Sequence, residues 1–178
     1  MAKTTWTLDP AHSEIQFKVK HLMITTVTGH FGKFDLQVET EDDDFTRASS
    51  VIFTADIDSV TTGNEQRDTH LKSPDFFAAD QYKQLKFTGK KFSKSGSAYK
   101  LEGDLTIRDI TKPIVLDVEF GGIVKDPWGQ TKAGFTIEGK IKRKEFKLEW
   151  DAVTEAGQVV VSNDVRILCE VQLIKQAV

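Results

Sequence analysis

Apolar and polar residues alternate along most of this chain, which is typical of β-strands that bury one face. Ile15, Phe17 and Val19, for example, alternate with charged and amide side chains. Turn-forming stretches such as residues 94–96 separate the segments, and about nine strands are predicted. Their apolar positions are Trp6 and Leu8; Ile15, Phe17 and Val19; Phe34, Leu36 and Val38; Val51, Phe53, Ala55 and Ile57; Leu85 and Phe87; Tyr99, Leu101, Leu105 and Ile107; Ile114, Leu116, Val118 and Phe120; Phe135, Ile137 and Ile141; Val165, Ile167, Cys169, Val171 and Leu173.

The connections between these strands are short, which favours an antiparallel meander because parallel pairs need long crossovers. We expect an all-β fold, an antiparallel barrel of about eight strands, since closure removes the exposed sheet edges. Gly103 and Gly139 share the inward parity and leave space beside them. A two-layer sandwich is the alternative, and alternation alone separates the two poorly.

One stretch departs from the strand period and predicts two short helices. Residues 62–65 fit a capping box ahead of a first helix over Glu65–Lys72, which has one large apolar residue and should be mostly exposed. Ser73 followed by proline predicts the start of a second helix. Its Phe76 and Phe77 must be buried, and the mouth of the barrel is the expected surface.

Charge and length narrow the class of protein. At 178 residues the chain predicts about one domain, and 24 basic against 27 acidic residues give a net charge of −3. No basic run exceeds residues 142–144, so no nucleic-acid partner is expected. No apolar run approaches the ~20 residues of a membrane-spanning helix. The first residues lack an apolar signal-peptide core, so we expect a cytoplasmic protein, or a periplasmic or secreted one if a leader was removed.

Histidines suggest a metal site at first sight. His21 continues the inward parity of its strand, and His30 keeps the parity of the next strand. If these strands form a hairpin around a loop at residues 23–29, the two imidazoles face each other near one end of the barrel. A metal needs three or four ligands, however, and no suitable spacing supplies them. We therefore predict no metal and no cofactor, and take both histidines either as side chains satisfied by hydrogen bonds or as polar ligand contacts.

One group of residues is a candidate for catalysis. Asp9, His12 and Ser13 include the residue types of an acyl-transfer triad, but neighbours on one turn rarely point at each other as a triad requires. A turn held by side chain to backbone hydrogen bonds fits better, and no catalytic residue is predicted. Cys169 lies mid-strand as a small apolar residue. Arg67 either pairs with a nearby acid or contacts an anionic group of a ligand.

Several ordered motifs resemble the YceI-like polyisoprenoid-binding proteins. The similarity covers essentially the whole chain, so that residues 1–178 are interpreted as a single YceI-like domain. The motifs are WTLDPAHS at 6–13, FKVKHL at 17–22, GHFGKF at 29–34, TGNEQRDTHLKSPDFF at 62–77, and GDLTIR at 103–108 with Lys112 and Pro113 after it.

The resemblance implies a lipocalin-like barrel with an elongated apolar cavity for an isoprenoid or similar long-chain lipid, such as a quinone or a prenyl phosphate. We expect a carrier or storage protein without chemistry. An enzyme acting on a prenyl or acyl substrate, and an interaction module with a core filled by side chains, are the alternatives. The predicted tail contacts are Phe17, Val19, Phe34, Phe53, Phe76, Phe77, Leu105, Phe120 and Phe135, and the predicted head-group contacts are His21, His30 and Arg67.

Outward-facing apolar residues bear on association. Ile52, Val115, Leu168 and Ile174 fall on the outward parity of otherwise alternating strands. Apolar residues in such positions can form a patch that a second copy covers. The sequence therefore predicts a homodimer.

Overall fold

One antiparallel sheet curls into a closed barrel in the computed structural model, which describes residues 2–22, 24–150 and 160–176. Every strand pairing within these residues is antiparallel, as the short connections predict. The strands are β1 (Lys3–Leu8), β2 (Glu14–His21), β3 (Thr25–Phe31), β4 (Phe34–Glu41), β5 (Asp44–Asp56), β6 (Val60–Thr61), β7 (Gln84–Ser95), β8 (Ala98–Ile107), β9 (Ile110–Lys125), β10 (Thr131–Lys142) and β11 (Val161–Lys175).

The eleven strands form a barrel wall eight strands around. β1 and β2 lie one after the other along the same edge of β11, where Thr7 pairs with Ile174 and Phe17 pairs with Ile167. β3 and β4 also lie end to end and share one position in the wall. β5 and β6 share the next position, because β4 pairs with β5 and β3 pairs with β6. The predicted eight-stranded barrel is confirmed, and the sandwich alternative is excluded by the closing pair β1–β11.

The two ends of the barrel differ. At one end, which we call the closed end, six aromatic side chains pack together beneath the cavity. Trp6 is fully buried with its ring 4.8 Å from that of Phe45, and its indole Nε1 donates to Thr40 Oγ1 at 3.1 Å, which satisfies its polar atom. The aromatic cluster comprises Trp6, Phe45, Phe92, Tyr99, Phe120 and Phe135, with ring centroids 4.8–6.3 Å apart.

The other end, which we call the mouth, carries the segment between β6 and β7. Helix α1 (Glu65–Lys72) matches the predicted first helix and has no buried residue. Its N-cap is Asn64, whose side chain accepts from the Arg67 amide at 3.0 Å. The capping box predicted at residues 62–65 is therefore wrong, because Thr62 instead donates its hydroxyl to Asp68 Oδ1.

The predicted second helix is also wrong. After Ser73 the backbone turns back on α1: the amides of Phe77 and Ala79 donate to the carbonyls of Leu71 and Lys72, at 2.9 and 2.8 Å. Ala78 adopts a positive φ of 50°, which ends any helical continuation. Phe76 and Phe77 are nevertheless buried at the mouth, as their apolar character requires.

Strand β3 was missed by the alternation pattern. The loop predicted at residues 23–29 is strand from Thr25 onward, with Val19 paired to Val27 and His21 to Thr25; residue 23 lies outside the described part. Threonines alternate with Val27 and Gly29 here, so the inward face presents too few large apolar side chains to be recognised. No helix among the described residues has the length and hydropathy to cross a bilayer.

Candidate functional site

The interior of the barrel holds a cavity of about 610 Å³, inside the range of small-molecule binding sites. Nearly every strand lines it with apolar side chains. On β10 the lining runs from Phe135 to Ile141, which at about 3.3 Å per residue is roughly 20 Å along the strand. The cavity is therefore elongated, as the resemblance implies, and extends from the aromatic cluster to the mouth.

Two glycines on the inward face are covered by large side chains from neighbouring strands. A Cβ on Gly139 would overlap Leu116, and a Cβ on Gly103 would lie 2.5 Å from the ring of Phe87. Large side chains on neighbouring strands thus occupy the space above each glycine, instead of leaving it open to the cavity as the sequence suggests. Leu116 and Phe87 both line the cavity from these positions.

A turn at the mouth is held in place by Arg108. Its Nη1 lies within hydrogen-bond distance of the carbonyls of Pro74, Phe76 and Lys147, at 3.2, 3.1 and 2.9 Å. The guanidinium also lies 5.7 Å from the ring centre of Tyr82. Arg108 therefore ties the segment that carries Phe76 and Phe77 to two other loops of the mouth.

Seven of the nine predicted tail contacts line the cavity, while Phe34 and Phe120 do not. Phe34 packs on Phe53 at 6.5 Å between ring centres, and Phe120 stacks on Phe135 at 4.9 Å. Both rings lie behind residues that line the cavity. Parity predicts which face of a strand a residue is on, but not where the residue lies along the barrel axis. Ligand contact by the seven remains a prediction; they are Phe17, Val19, Phe53, Phe76, Phe77, Leu105 and Phe135.

The predicted head-group contacts divide in the same way. His21 and Arg67 line the mouth, whereas His30 lies outside the barrel and pairs its Nδ1 with Glu14 Oε1 at 3.0 Å. The expectation for His30 is wrong because the step from β3 to β4 resets the alternation: Phe31 and Leu36, of opposite parity, are both buried core residues. The two predicted histidines therefore do not face each other.

Further polar residues line the cavity at the mouth. Lys20 lines it beside His21, and His70 lines it with its ring edge-on to Phe76 and Trp150, at 5.1 and 4.9 Å. The Nε2 of His70 lies 2.9 Å from Asp75 Oδ2. The helical spacing of His70 from Arg67 was the available signal, since residues three apart share a face of α1.

Arg143 has no sequence signal because arginines are rarely buried. It is only 2% exposed, and its guanidinium donates to the carbonyls of Leu148, Trp150, Val161 and Ser162 at 2.6–3.1 Å. These bonds join the end of β10 to the beginning of β11. Arg143 also lines the cavity.

The Asp9–His12–Ser13 turn is structural. Ser13 Oγ donates to the Asp9 carbonyl at 2.7 Å and accepts from the Gln172 amide at 3.0 Å, so it is not directed at His12. Asp9 Oδ2 receives His12 Nδ1 and Lys132 Nζ, both at 2.8 Å. These partners, Lys132 foremost, lower the pKa of the Asp9 carboxyl, and Asp9 raises the pKa of Lys132.

Cys169 is buried on β11, as predicted, and burial raises the pKa of its thiol to about 12. A thiol in this environment is a small apolar residue, not a nucleophile. Within the described parts of the chain, no three His, Cys, Asp or Glu side chains come together in a way that could hold a metal ion.

Comparison with known proteins places this barrel in a family. A family model for the YceI-like domain matches residues 6–173. The chain belongs to the YceI-like family. A UPF0312 protein from Staphylococcus aureus strain USA300 is 39% identical over 166 residues, which span 92% of this chain and 93% of the relative.

Solved structures of the family share the fold. The YceI protein of Campylobacter jejuni is 35% identical with a TM-score of 0.75, covering 89% of this chain and 90% of that one. A structure described as a polyisoprenoid binding domain from Saccharophagus degradans has a TM-score of 0.65 over 96% of this chain and 98% of its own. At 16% identity, that likeness shows the fold alone.

Proposed function

We propose that this protein binds a long-chain lipid, of isoprenoid or similar type, inside the barrel and carries, stores or sequesters it without chemical change. The observation that carries the proposal is the elongated cavity, apolar along its length and polar at one end. A long-chain lipid has the same division between tail and head. The description of the Saccharophagus degradans relative as a polyisoprenoid binding domain supports this choice.

Burial of the tail supplies the driving force. At ~0.8 kcal/mol per buried methylene, a five-carbon isoprene unit contributes up to ~4 kcal/mol before the entropy of ordering is subtracted. Two or three units therefore outweigh the costs of association. Affinity rises with the buried length of the tail, whereas selectivity depends on the polar residues at the mouth.

Two other classes of function have weaker support. An enzyme acting on a prenyl or acyl substrate needs an acid and a base at the substrate, and the Asp9–His12–Ser13 turn is not among the residues that line the cavity. An interaction module with a filled core would have no use for a cavity of about 610 Å³. Lipid binding accounts for the cavity directly.

Mass spectrometry of an organic extract tests the proposal. We expect the purified protein to release a long-chain lipid in near-stoichiometric amount. Ile114→Trp should reduce that amount strongly, because Ile114 lines the cavity and a larger ring fills part of it. Val115→Trp is the matched control, since Val115 is the next residue on β9 and is 55% exposed on the outer face. Equal lipid content in the two variants would contradict the proposal.

We also propose a homodimer and retain the cytoplasm as the expected compartment. Of the four apolar residues on the outward parity, Ile52 and Val115 are 41% and 55% exposed, while Leu168 and Ile174 are half-buried. Light scattering across a range of concentrations tests the dimer. Fractionation of the source cells with an antibody tests the compartment.

A further inference from the structure

Three basic side chains lie next to one another on the outer face of the barrel. Lys140 on β10 is the direct cross-strand partner of Arg166 on β11, and Arg166 is the partner of Lys18 on β2. The residues before and after each of the three face the interior, so these side chains point outward. We call Lys140, Arg166 and Lys18 the basic row.

The side chains of the basic row repel one another. Directly opposed side chains of neighbouring strands lie about 5 Å apart, and like charges in such positions destabilise a sheet. In the part of the chain that the structure describes, neither Lys18 nor Arg166 forms an ion pair with an acidic side chain. Asp164 pairs instead with Lys140 at 3.6 Å and with Lys142 at 3.3 Å. An external anion would relieve the repulsion that remains between Lys18 and Arg166.

The positive charge continues from the basic row toward the mouth. Lys20 and Lys142 are the next outward residues of β2 and β10, and both are exposed. On the side away from the mouth, the next residue of β10 on this face is the acidic Glu138, opposite Leu168. The whole chain has a net charge of −3, so the concentration of basic residues beside the mouth is local.

An exposed apolar side chain lies at the same end of the barrel. Ile24, at the tip of the hairpin between β2 and β3, is 77% exposed. Its amide donates to the His21 carbonyl at 3.2 Å, which holds the tip as a turn. Burial of an isoleucine side chain is favourable, so a partner that covers Ile24 gains free energy from the contact. Proteins that bind a bilayer surface combine such an apolar side chain with basic residues that contact anionic head groups.

From this combination we propose that the mouth end of the barrel docks on an anionic lipid bilayer. The basic row and Lys20 would contact the head groups, and Ile24 would insert between them. A bilayer offers both a charged surface and an apolar interior, whereas the phosphate backbone of a nucleic acid has no apolar partner for Ile24. The basic row lies outside the cavity, so the inference goes beyond the proposed function. Docking would bring the mouth to the bilayer, where a lipid can enter or leave the cavity without crossing water.

The expected affinity is moderate and depends on salt. A basic residue close to an anionic bilayer contributes about fivefold to binding, and this contribution falls off over a Debye length of about 10 Å at 0.1 M salt. The three charges of the basic row together contribute on the order of a hundredfold. Binding should therefore be reversible and should weaken steeply as the salt concentration rises.

Sedimentation of the protein with vesicles tests the docking. We expect binding to an equal mixture of phosphatidylcholine and phosphatidylglycerol, little binding to phosphatidylcholine alone, and release by salt. Lys18→Gln combined with Arg166→Gln should weaken binding about tenfold or more without lowering the melting temperature, because the change removes a repulsion. Lys86→Gln combined with Lys91→Gln is the matched control, since both lysines are exposed on β7, on the opposite side of the barrel.

A fluorescent label locates the contact. Cys169 is buried, so an environment-sensitive dye can be attached selectively to Ile24→Cys. We expect its emission to shift to shorter wavelength on anionic vesicles. The same dye on Trp128→Cys should not respond, since Trp128 is 84% exposed in the turn between β9 and β10, at the closed end. A response at residue 128 in place of residue 24 would overturn the proposal.

Other results would also contradict docking. These are equal binding to the two kinds of vesicle, unchanged binding by the Lys18→Gln, Arg166→Gln variant, and tighter binding to a DNA duplex or to polyglutamate than to anionic vesicles. An organic extract of the same variant should contain as much lipid as the parent protein, because both side chains lie outside the cavity. A parent protein that releases no lipid but still binds anionic vesicles would contradict the proposed function and support docking.

Discussion

The ring of Phe17 on β2 occupies the space in which a side chain of Gly29 on β3 would lie. The two residues are direct cross-strand partners, and a Cβ on Gly29 would overlap the Phe17 ring. The ring is thereby held against the barrel wall at the edge of the cavity. A glycine in mid-strand is otherwise unfavourable, so its presence here follows from this contact.

Gly29→Ala should therefore destabilise the protein by about 1–3 kcal/mol, the usual cost of overpacking, measured by urea unfolding. Gly134→Ala is the matched control, because Gly134 is also a strand glycine but has no atom within 4 Å of its would-be Cβ. We expect that control to change the free energy of unfolding by less than about 1 kcal/mol. Combining Gly29→Ala with Phe17→Leu should recover part of the loss, and an additive combination would show that the ring is not responsible.

Arg108→Ala should release the turn at the mouth. The substitution removes a charged donor shared by three carbonyls, and we expect a loss of about 1–3 kcal/mol in the free energy of unfolding. Hydrogen exchange should rise at Phe76 and Phe77 more than in the strands. Arg108→Lys should behave like the alanine variant, because an ammonium cannot reproduce the guanidinium fork. Uniform exchange across the barrel would contradict this role.

The Asp9–Lys132 pair should make stability depend on pH at both extremes. The pKa of Asp9 is lowered in the folded protein, so its contribution is present above its unfolded value of about 3.9 and is lost as the pH falls through the folded pKa. The pKa of Lys132 is raised, so its contribution is complete below about 10.4 and is lost as the pH rises through the folded pKa. Melting temperature measured across pH should therefore be highest between these limits.

Asp9→Asn provides the comparison for that profile. The variant should melt at a lower temperature than the parent protein at neutral pH, and the two should converge as the solution becomes acidic. Lys100→Gln serves as the control, since Lys100 pairs with Asp117 on the exposed outer face. An unchanged difference between Asp9→Asn and the parent protein at acidic pH would contradict the assignment.

Cys169 should resist alkylation in the folded protein. Its thiol is protonated at ordinary pH because burial raises its pKa to about 12, and the thiolate is the reactive species. Iodoacetamide at pH 8 should label the protein slowly under native conditions and fully in denaturant, as followed by intact mass. Rapid native labelling would show that the cavity exposes the thiol to solvent.

Alternation was sufficient to predict most of the wall but not its breaks. Strands such as β8 show a clear period because Leu101 and Leu105 face inward between exposed charges. β3 was missed because its inward positions include Gly29, and the ring of Phe17 on β2 fills the space where a side chain of residue 29 would lie. Contacts of this kind depend on register between strands, which a single strand does not encode.

The sequence predicted only part of the site, again because alternation along one strand does not encode contacts between strands. Residues that line the cavity through strand parity, such as Phe53 and Leu105, follow from the sequence. His30 was misplaced because Gly32 and Lys33 interrupt the alternation between two strands that continue each other in space. Arg143 was missed because its burial depends on carbonyls of the residues that follow it and of the start of β11. Alternation indicates on which face of a strand a residue lies, whereas the mouth is formed largely by the segments that connect the strands.

The seam between β1 and β11 has a consequence for folding. Gln176 Nε2 donates to Thr7 Oγ1 across a separation of 169 residues, so the ring closes only when the two ends of the chain meet. Strands that follow each other in the chain, such as β7 and β8, form hairpins locally. The contact between β1 and β11 instead incurs the entropic cost of closing a loop of almost the entire polypeptide. High contact order predicts slow folding. Before the barrel closes, both edges of the sheet expose unpaired backbone groups that can pair with other chains. Aggregation is therefore expected mainly while newly made chains fold at high concentration, rather than on heating of the closed barrel.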